Sequence, residues 1–305
     1  MSGGPFESLL RLDGKVALVT GAGQGVGRTV ALMLAAQGAK VAVNDYHADR
    51  AEAVVGELRA TGATAMACPG DVSDYGAVAA NVAAITEELG PVGILVNNAG
   101  NAGPNESPLA PAPPFWEESP ATWGRWLDVN LNGVLYCTHA ATPGMIAEGG
   151  GRVVTVISDA GRVGEPHLAV YAGAKAGAAG FVRGYAKAVA RYGITANCVA
   201  LGAIRTPPVE AAIQDPDALK KIVRAYPLRR IGEPEDPAAM ITFLATPAAG
   251  WVTGQTVPVN GGVLDGDVRP LRRGLIASSG PSRRSAGSGR RPRRGCRRAA
   301  CAARA

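Results

Sequence analysis

Several signatures of function are missing from this chain. No apolar run approaches the ~18 residues that cross a bilayer, so no membrane span is expected. Residues 1–13 lack a basic stretch followed by an apolar one, and no secretory signal is expected. The three histidines are scattered, and Cys68, Cys137, Cys198, Cys296 and Cys301 show no metal-ligand spacing. An odd, unspaced set of cysteines fits a reduced, cytoplasmic protein better than a disulfide framework or a metal centre. There is no G-x-S-x-G elbow to seat a hydrolase nucleophile.

The net charge of +6 does not describe the body of the chain. Residues 266–305 hold twelve Arg and one Asp, +11, which leaves −5 for residues 1–265. This tail is poor in aromatics and rich in charge, so it is expected to be disordered. Any contact with nucleic acid would run through it alone; a non-functional extension is the plainer reading. The expected division is therefore one domain over residues 1–265 and a tail over 266–305. With 47% hydrophobic residues the body suffices for one large α/β core.

Apolar runs at 15–20, 40–44, 63–68, 92–97, 152–157, 194–199 and 255–260 read as strands, most of them separated by helical patterns. Seven such runs specify a single doubly wound, Rossmann-like α/β fold: a parallel sheet with helices on both faces and a ligand crevice at the strands' C-terminal ends. The first run leads into T-G-A-G-Q-G-V-G at residues 20–27, then a helical pattern over 28–37. A strand, a glycine turn and a helix N-terminus make an anion site, because free N–H groups and the helix dipole face a phosphate. Gly21, Gln24, Gly25, Val26 and Gly27 are the candidates to hold it. The second strand ends in Asp45, where an acid can accept both ribose hydroxyls of NAD and would repel the 2′-phosphate of NADP; the alternative is a loop Asp capping the next helix. Gln24 and Tyr46 put no positive charge there, which favours NAD.

Farther on, N-N-A-G at 97–100 makes a tight turn at a strand end. Residues 101–120, with six prolines, read as a long loop, either a substrate wall or a plain surface loop. Trp116, Trp123 and Trp126 border it, as core packing or as the lining of a hydrophobic site. A long helix is expected over 123–141, with Asn130 at a mid-helix position that propensity disfavours. Ser158 follows the fifth strand. Tyr171 and Lys175 are spaced i,i+4, on one helix face about 5–6 Å apart at Cβ. A cation beside a phenol favours the phenolate, and a phenol tuned toward neutrality is a general acid/base for a C–OH/C=O pair. Ser158 would steady the same oxygen. Such a pair alone is equally a solvated helix face; the crevice and its cofactor turn give it meaning.

These residues resemble the short-chain dehydrogenase/reductase family over about residues 11–263. The resemblance rests on T-G-x-x-x-G-x-G at 20–27, N-N-A-G at 97–100, Asn130, Ser158 and Y-x-x-x-K at 171–175. It implies a catalytic tetrad. Asn130 holds a helix open for a relay water, Ser158 polarises the substrate oxygen, Tyr171 transfers the proton, and Lys175 lowers its pKa and binds the nicotinamide ribose. It further implies Asp71 and Val72 at the adenine, Asn98, Ala99 and Gly100 on the adenosine side, and Gly202, Ile204 and Thr206 around the nicotinamide. A homotetramer acting on a small molecule follows from the same resemblance, with the helices of Asn130 and Tyr171 at one interface. Leu201-Gly202 stands where the family pattern has Pro-Gly, so that loop is expected to be less rigid. S-D-A-G-R-V-G at 158–164 and the following V-Y-A-G-A-K are most similar to members acting on cyclic or branched 3-hydroxyacyl-CoA thioesters, and to 3-oxoacyl reductases; an acyl-CoA substrate would want a cation at the mouth, for which Arg162 is the candidate. The expected activity is hydride transfer between NAD and a secondary alcohol or ketone. The alternatives are an NADPH-dependent 3-oxoacyl reductase and a nucleotide-sensing module without chemistry.

Overall fold

The structure, a computed structural model, describes residues 4–101, 114–212 and 216–263. The expected Arg-rich tail and most of the Pro-rich loop lie outside the described residues. Seven strands form one sheet: β1 Val16–Val19, β2 Lys40–Val43, β3 Ala65–Ala67, β4 Val92–Asn97, β5 Gly151–Ser158, β6 Ile194–Leu201 and β7 Thr256–Val259. Every pairing is parallel, in the order β3-β2-β1-β4-β5-β6-β7. β1 is flanked by β2 on one side and β4 on the other, so the order reverses there and the connections leave to opposite faces, opening a crevice. The expected doubly wound parallel fold is present.

Both faces of the sheet are covered, which is why its strands read as apolar runs rather than as alternations. Successive side chains still point to opposite faces. Ala17 and Val19 pack with α2 (Gly25–Ala36), α3 (Ala48–Ala60) and α11 (Glu235–Ala245) through Leu34, Leu58 and Ile241. Val16, Leu18 and Leu95 pack on the other face with α4 (Tyr75–Glu88), α6 (Gly133–Ala147) and α8 (Ala169–Val189) through Ile85, Val134 and Val182. Short helices complete the chain: α1 Pro5–Leu10, α5 Gly124–Leu127, α7 Ala160–Val163, α9 Pro207–Ala212 and α10 Pro216–Ala225.

Two local expectations need correction. The glycine turn is shorter than the sequence suggests, because α2 begins at Gly25 and takes Gly25, Val26 and Gly27 into its first turn. The long helix expected over 123–141 is broken. After α5 comes a π turn, Asp128–Asn132, before α6 resumes. Its cause is local: Asn130 Nδ2 donates to the Trp126 carbonyl at 3.0 Å. A side chain thus occupies the i−4 acceptor that the backbone would otherwise use, and the helix opens by a residue.

Gly27 shows how tightly the turn is closed. A Cβ there would collide with the Gly21 carbonyl oxygen and the Asn98 amide. Gly27→Ala is therefore expected to lower stability by about 1–3 kcal/mol, the usual cost of overpacking. Urea unfolding monitored by circular dichroism checks this; an unchanged midpoint would mean that the turn is looser than described.

Candidate active site

One cleft of about 700 Å³ lies along the C-terminal ends of the strands. Every residue proposed from the sequence as catalytic or cofactor-binding lines it, from Gly21 and Asp45 at one end to Ser158 and Tyr171 at the other. They arrive from all six connections between the strands. What unites them is the sheet, which brings the ends of β1, β2, β3, β4, β5 and β6 to one edge.

The glycine end is held by bonds between neighbouring strand ends. Thr20 Oγ1 accepts from the Asn98 and Ala99 N–H groups at 3.1 and 3.0 Å. Asn98 Nδ2 donates to the Thr20 and Gly21 carbonyls, both at 2.9 Å. Asn97, the first Asn of N-N-A-G, points inward instead and donates to Thr138 Oγ1 at 3.1 Å. The first-turn N–H groups of α2 have no intrahelical acceptor. With no acidic side chain in that turn, they face the cleft as an anion cradle.

Asp45 is buried, and its carboxylate is already partly engaged. Oδ2 accepts from the Gly23 N–H at 2.9 Å and Oδ1 from the His47 N–H at 3.0 Å. Each oxygen keeps a further lone pair, so the acid can shape its own loop and still accept a sugar hydroxyl. The His47 bond closes a turn ahead of α3 and does not cap the first-turn N–H groups of that helix. Sequence reasoning missed Arg50 here. It lies in the first turn of α3 and lines the cleft; a Cβ on Gly23 would lie 2.6 Å from both the Arg50 Cβ and Asp45 Oδ2. Its position five residues past Asp45, one turn into a predicted helix, was the available signal. Asp71 also lines the cleft and accepts from the Ser73 N–H at 2.8 Å.

At the other end, Tyr171 and Lys175 share one face of α8, and the ammonium lies 5.9 Å from the phenol ring centroid. Lys175 is 4% exposed. Its Nζ donates to the Val156 carbonyl of β5 at 3.0 Å. Burial pulls its pKa down to about 8, against a smaller upward effect of Cys198. Burial also pushes the Tyr171 phenol up, while a hydrogen bond with Ser158 pulls it back. The lowering expected from Lys175 is thus not the leading effect; in this geometry Ser158 is what opposes the rise. Trp126 packs beneath Tyr171, with ring centroids 5.9 Å apart. Trp123 stacks on Phe115 instead, and Trp116 is exposed.

Asn130 is fully buried on the π turn. Besides Trp126, its amide donates to the Asn101 carbonyl and Oδ1 at 3.0 Å each, and its Oδ1 accepts from the Asn101 N–H at 3.3 Å. The turn is therefore fastened to the chain leaving β4. Arg162 does not stand free as a cation for an anionic substrate: it pairs with Asp159 at 2.8 Å. No group of three or more His, Cys, Asp or Glu among the described residues is placed to hold a metal ion.

Comparison with known proteins agrees with this geometry. A family model described as enoyl-(acyl carrier protein) reductase matches residues 21–264. The chain is 37% identical over 253 residues to the 7α-hydroxysteroid dehydrogenase of Escherichia coli (strain K12), covering 83% of this chain and 95% of that one. It is 38% identical over 255 residues to a 3-oxoacyl-[acyl-carrier-protein] reductase of Synechocystis, covering 83% and 98%. A solved 7α-hydroxysteroid dehydrogenase, complexed with NADH and 7-oxoglycochenodeoxycholic acid, superposes with a TM-score of 0.79 at 36% identity, over 87% of this chain and 99% of that one. Matched across almost the full length of these relatives, the chain belongs to the short-chain dehydrogenase/reductase family, oxidoreductases that interconvert secondary alcohols and ketones with a nicotinamide cofactor.

Proposed function

We propose that the protein oxidises a secondary alcohol, or reduces the matching ketone, with NAD as its preferred cofactor. The observation that carries this reading is the single cleft with an anion cradle and a buried acid at one end and Ser158, Tyr171 and Lys175 at the other. The residues present fit a dinucleotide. The first-turn amides of Gly25, Val26 and Gly27 would hold its phosphates, Asp45 its adenosine ribose, and Asp71, Val72 and residues 98–100 the adenine side. Gly202, Ile204 and Thr206 would border the nicotinamide. A nicotinamide held there would supply the hydride chemistry at the carbinol carbon.

The protein moves the proton. In oxidation the Tyr171 oxygen takes the hydroxyl proton from the substrate, and in reduction it returns it. Ser158 Oγ steadies the substrate oxygen and, through its bond to Tyr171, keeps the phenol from rising further. Lys175, protonated below about pH 8, adds a positive charge that favours phenolate once the site is filled. Asn130 keeps the π turn open beside it for a relay water. The substrate hydroxyl belongs to a ring or acyl chain, as in a cyclic or 3-hydroxyacyl thioester; with Arg162 committed to Asp159, a phosphate-bearing carrier would need another cation.

A second cofactor reading, NADPH-dependent 3-oxoacyl reduction, is favoured by one observation, Arg50 beside Asp45. The remaining assignments are a cytoplasmic location, a catalytic body ending near residue 265, and a homotetramer. No helix among the described residues is long and apolar enough to cross a membrane. Support for the assembly comes from the exposed Gly173, Gly177, Gly180 and Gly184 along α8, where a second helix can approach closely.

Four measurements test this. Tyr171→Phe should lower kcat by about 10²–10⁴, the usual worth of a general acid/base, while NAD binding by fluorescence titration stays intact; retained turnover would sink the mechanism. Ser158→Ala should shift the pH profile of alcohol oxidation toward higher pH, since the bond that pulls Tyr171 down is lost. For the cofactor, Asp45→Ala should cut the NAD/NADP ratio of kcat/KM by about tenfold to a hundredfold, the worth of hydrogen bonds to a charged group. Arg50→Ala should raise that ratio. Opposite changes would exchange the two cofactor readings. Light scattering should give a tetramer for the wild type and a smaller species for Gly180→Arg; a wild-type monomer would refute the assembly.

A further inference from the structure

β5, β6 and β7 end level with one another: Ser158 pairs with Leu201, and Leu201 with Val259. Beyond that line the three chains part. Asp159 enters α7, Gly202 enters the loop proposed to border the nicotinamide, and Asn260 enters a Gly-Gly turn. The ladder can no longer hold them, and side chains do so instead. The Asp159 N–H still donates to the Leu201 carbonyl at 2.9 Å. Its carboxylate then reaches over β6 and accepts from Asn260 Nδ2 at 2.7 Å, a bond between residues 101 positions apart. The other carboxylate oxygen takes Arg162. Asn260 is 8% exposed; its Nδ2 also donates to the Val263 carbonyl at 2.8 Å, and its Oδ1 accepts from the Gly262 N–H at 3.2 Å.

Gly202 lies enclosed beneath this bridge. A Cβ there would stand 2.9 Å from the Tyr226 ring and 3.1 Å from the Asn260 Cα. The Tyr226 hydroxyl accepts the neighbouring Ala203 N–H at 2.8 Å. On the β5 side, Ser158 Oγ accepts the Ala160 N–H at 3.2 Å, and the Asp159 carbonyl accepts the Arg162 and Val163 N–H groups of α7. Any swing of Asp159 therefore carries with it the backbone group that orients the Ser158 hydroxyl. Neither Asp159 nor Asn260 lines the cleft, so their effect on chemistry must pass through residues that do.

The geometry points to Asp159 and Asn260 as positioning residues that hold Ser158 in register with the 201–206 loop. This rests on the proposed proton relay, in which Ser158 meets the substrate oxygen. It also gives that loop a stiffness that Leu201, standing where the family pattern has Pro, does not supply. A charge-assisted bond with little exposure keeps its geometry better than a surface pair.

The test is steady-state kinetics of the full chain on a secondary alcohol that it turns over. Asn260→Ala should lower kcat by about tenfold to a hundredfold, the cost of misplacing a catalytic group by an ångström, with KM for NAD unchanged. In a Ser158→Ala background the same substitution should cost nothing further, because residues acting through one another are not additive. Asp159→Asn, which keeps an oxygen for the Asn260 amide, should recover most of the kcat lost in Asp159→Ala. Asn260→Ser carries the comparison if the alanine variant does not fold. Equal losses in both backgrounds, or a KM that rises as kcat falls, would overturn the positioning role alone. A silent Ser158→Ala would overturn the relay and this role together.

Discussion

The cleft depends first on the bonds between the ends of β1 and β4. These strands are neighbours in the sheet, yet their chains leave toward opposite faces, so the last turn of each would otherwise be free to move. Thr20 and Asn98 prevent this with four hydrogen bonds, each using a backbone group that the ladder no longer satisfies. Buried backbone groups left unpaired would cost about 1–3 kcal/mol each. The same four bonds therefore satisfy the backbone and fix the width of the crevice. The glycine turn, the first turn of α2 and the chain that meets Asn130 all take their positions from this junction.

At the far end the controlling fact is desolvation. Burial disfavours the charged forms of Lys175 and Tyr171 alike, pulling the ammonium down and pushing the phenol up, so their pKa values move apart. The phenol is thereby held in its protonated form, and the hydrogen bond with Ser158 is what opposes that rise. The arrangement also affects stability. Lys175 has a folded pKa near 8, below its unfolded value of about 10.4. Between those values the unfolded chain binds more protons, so the Lys175 contribution to stability rises with pH across that window. Keeping a charged lysine below pH 8 in so dry a place costs the fold something, and the Val156 carbonyl is the partner that offsets part of it.

Much of this was legible in the sequence, for a physical reason. A parallel sheet covered on both faces needs apolar strands, which stand out as runs, and its ligand edge is the set of residues just past each run. Asp45, Asn98, Ser158 and Gly202 could be placed by that rule alone. What escaped was set by side chains acting across space. The break in the helix at 128–132 follows from one amide taking a carbonyl acceptor, which helix periodicity does not record. Arg50 escaped because its charge lies not in the loop beside Asp45 but in the first turn of the helix that follows. Arg162 looked like a free cation at the mouth, but its partner Asp159 is three residues away and tied in turn to Asn260. The Asp159–Arg162 spacing is local and was the available signal, whereas the Asp159–Asn260 pairing across 101 positions leaves no trace in local pattern.

Asp45 and Arg50 show why cofactor choice is a balance rather than a motif. Specificity is a difference of affinities, and here an anion and a cation border the end of the cleft proposed to take the adenosine ribose. The acid gains from a ribose with both hydroxyls free, and it would repel a 2′-phosphate. The arginine gains from the phosphate and is nearly indifferent to the hydroxyl. Distance and commitment decide between them. Asp45 is buried and held by two backbone N–H groups, so its oxygens are preorganised and lose little on binding. Arg50 is less buried, and a long side chain surrenders about 1.5–2 kcal/mol of rotamer entropy when fixed. On the proposed reading, a preorganised acid set against a cation that must be fixed would favour NAD, by a margin that one substitution at either residue should reset.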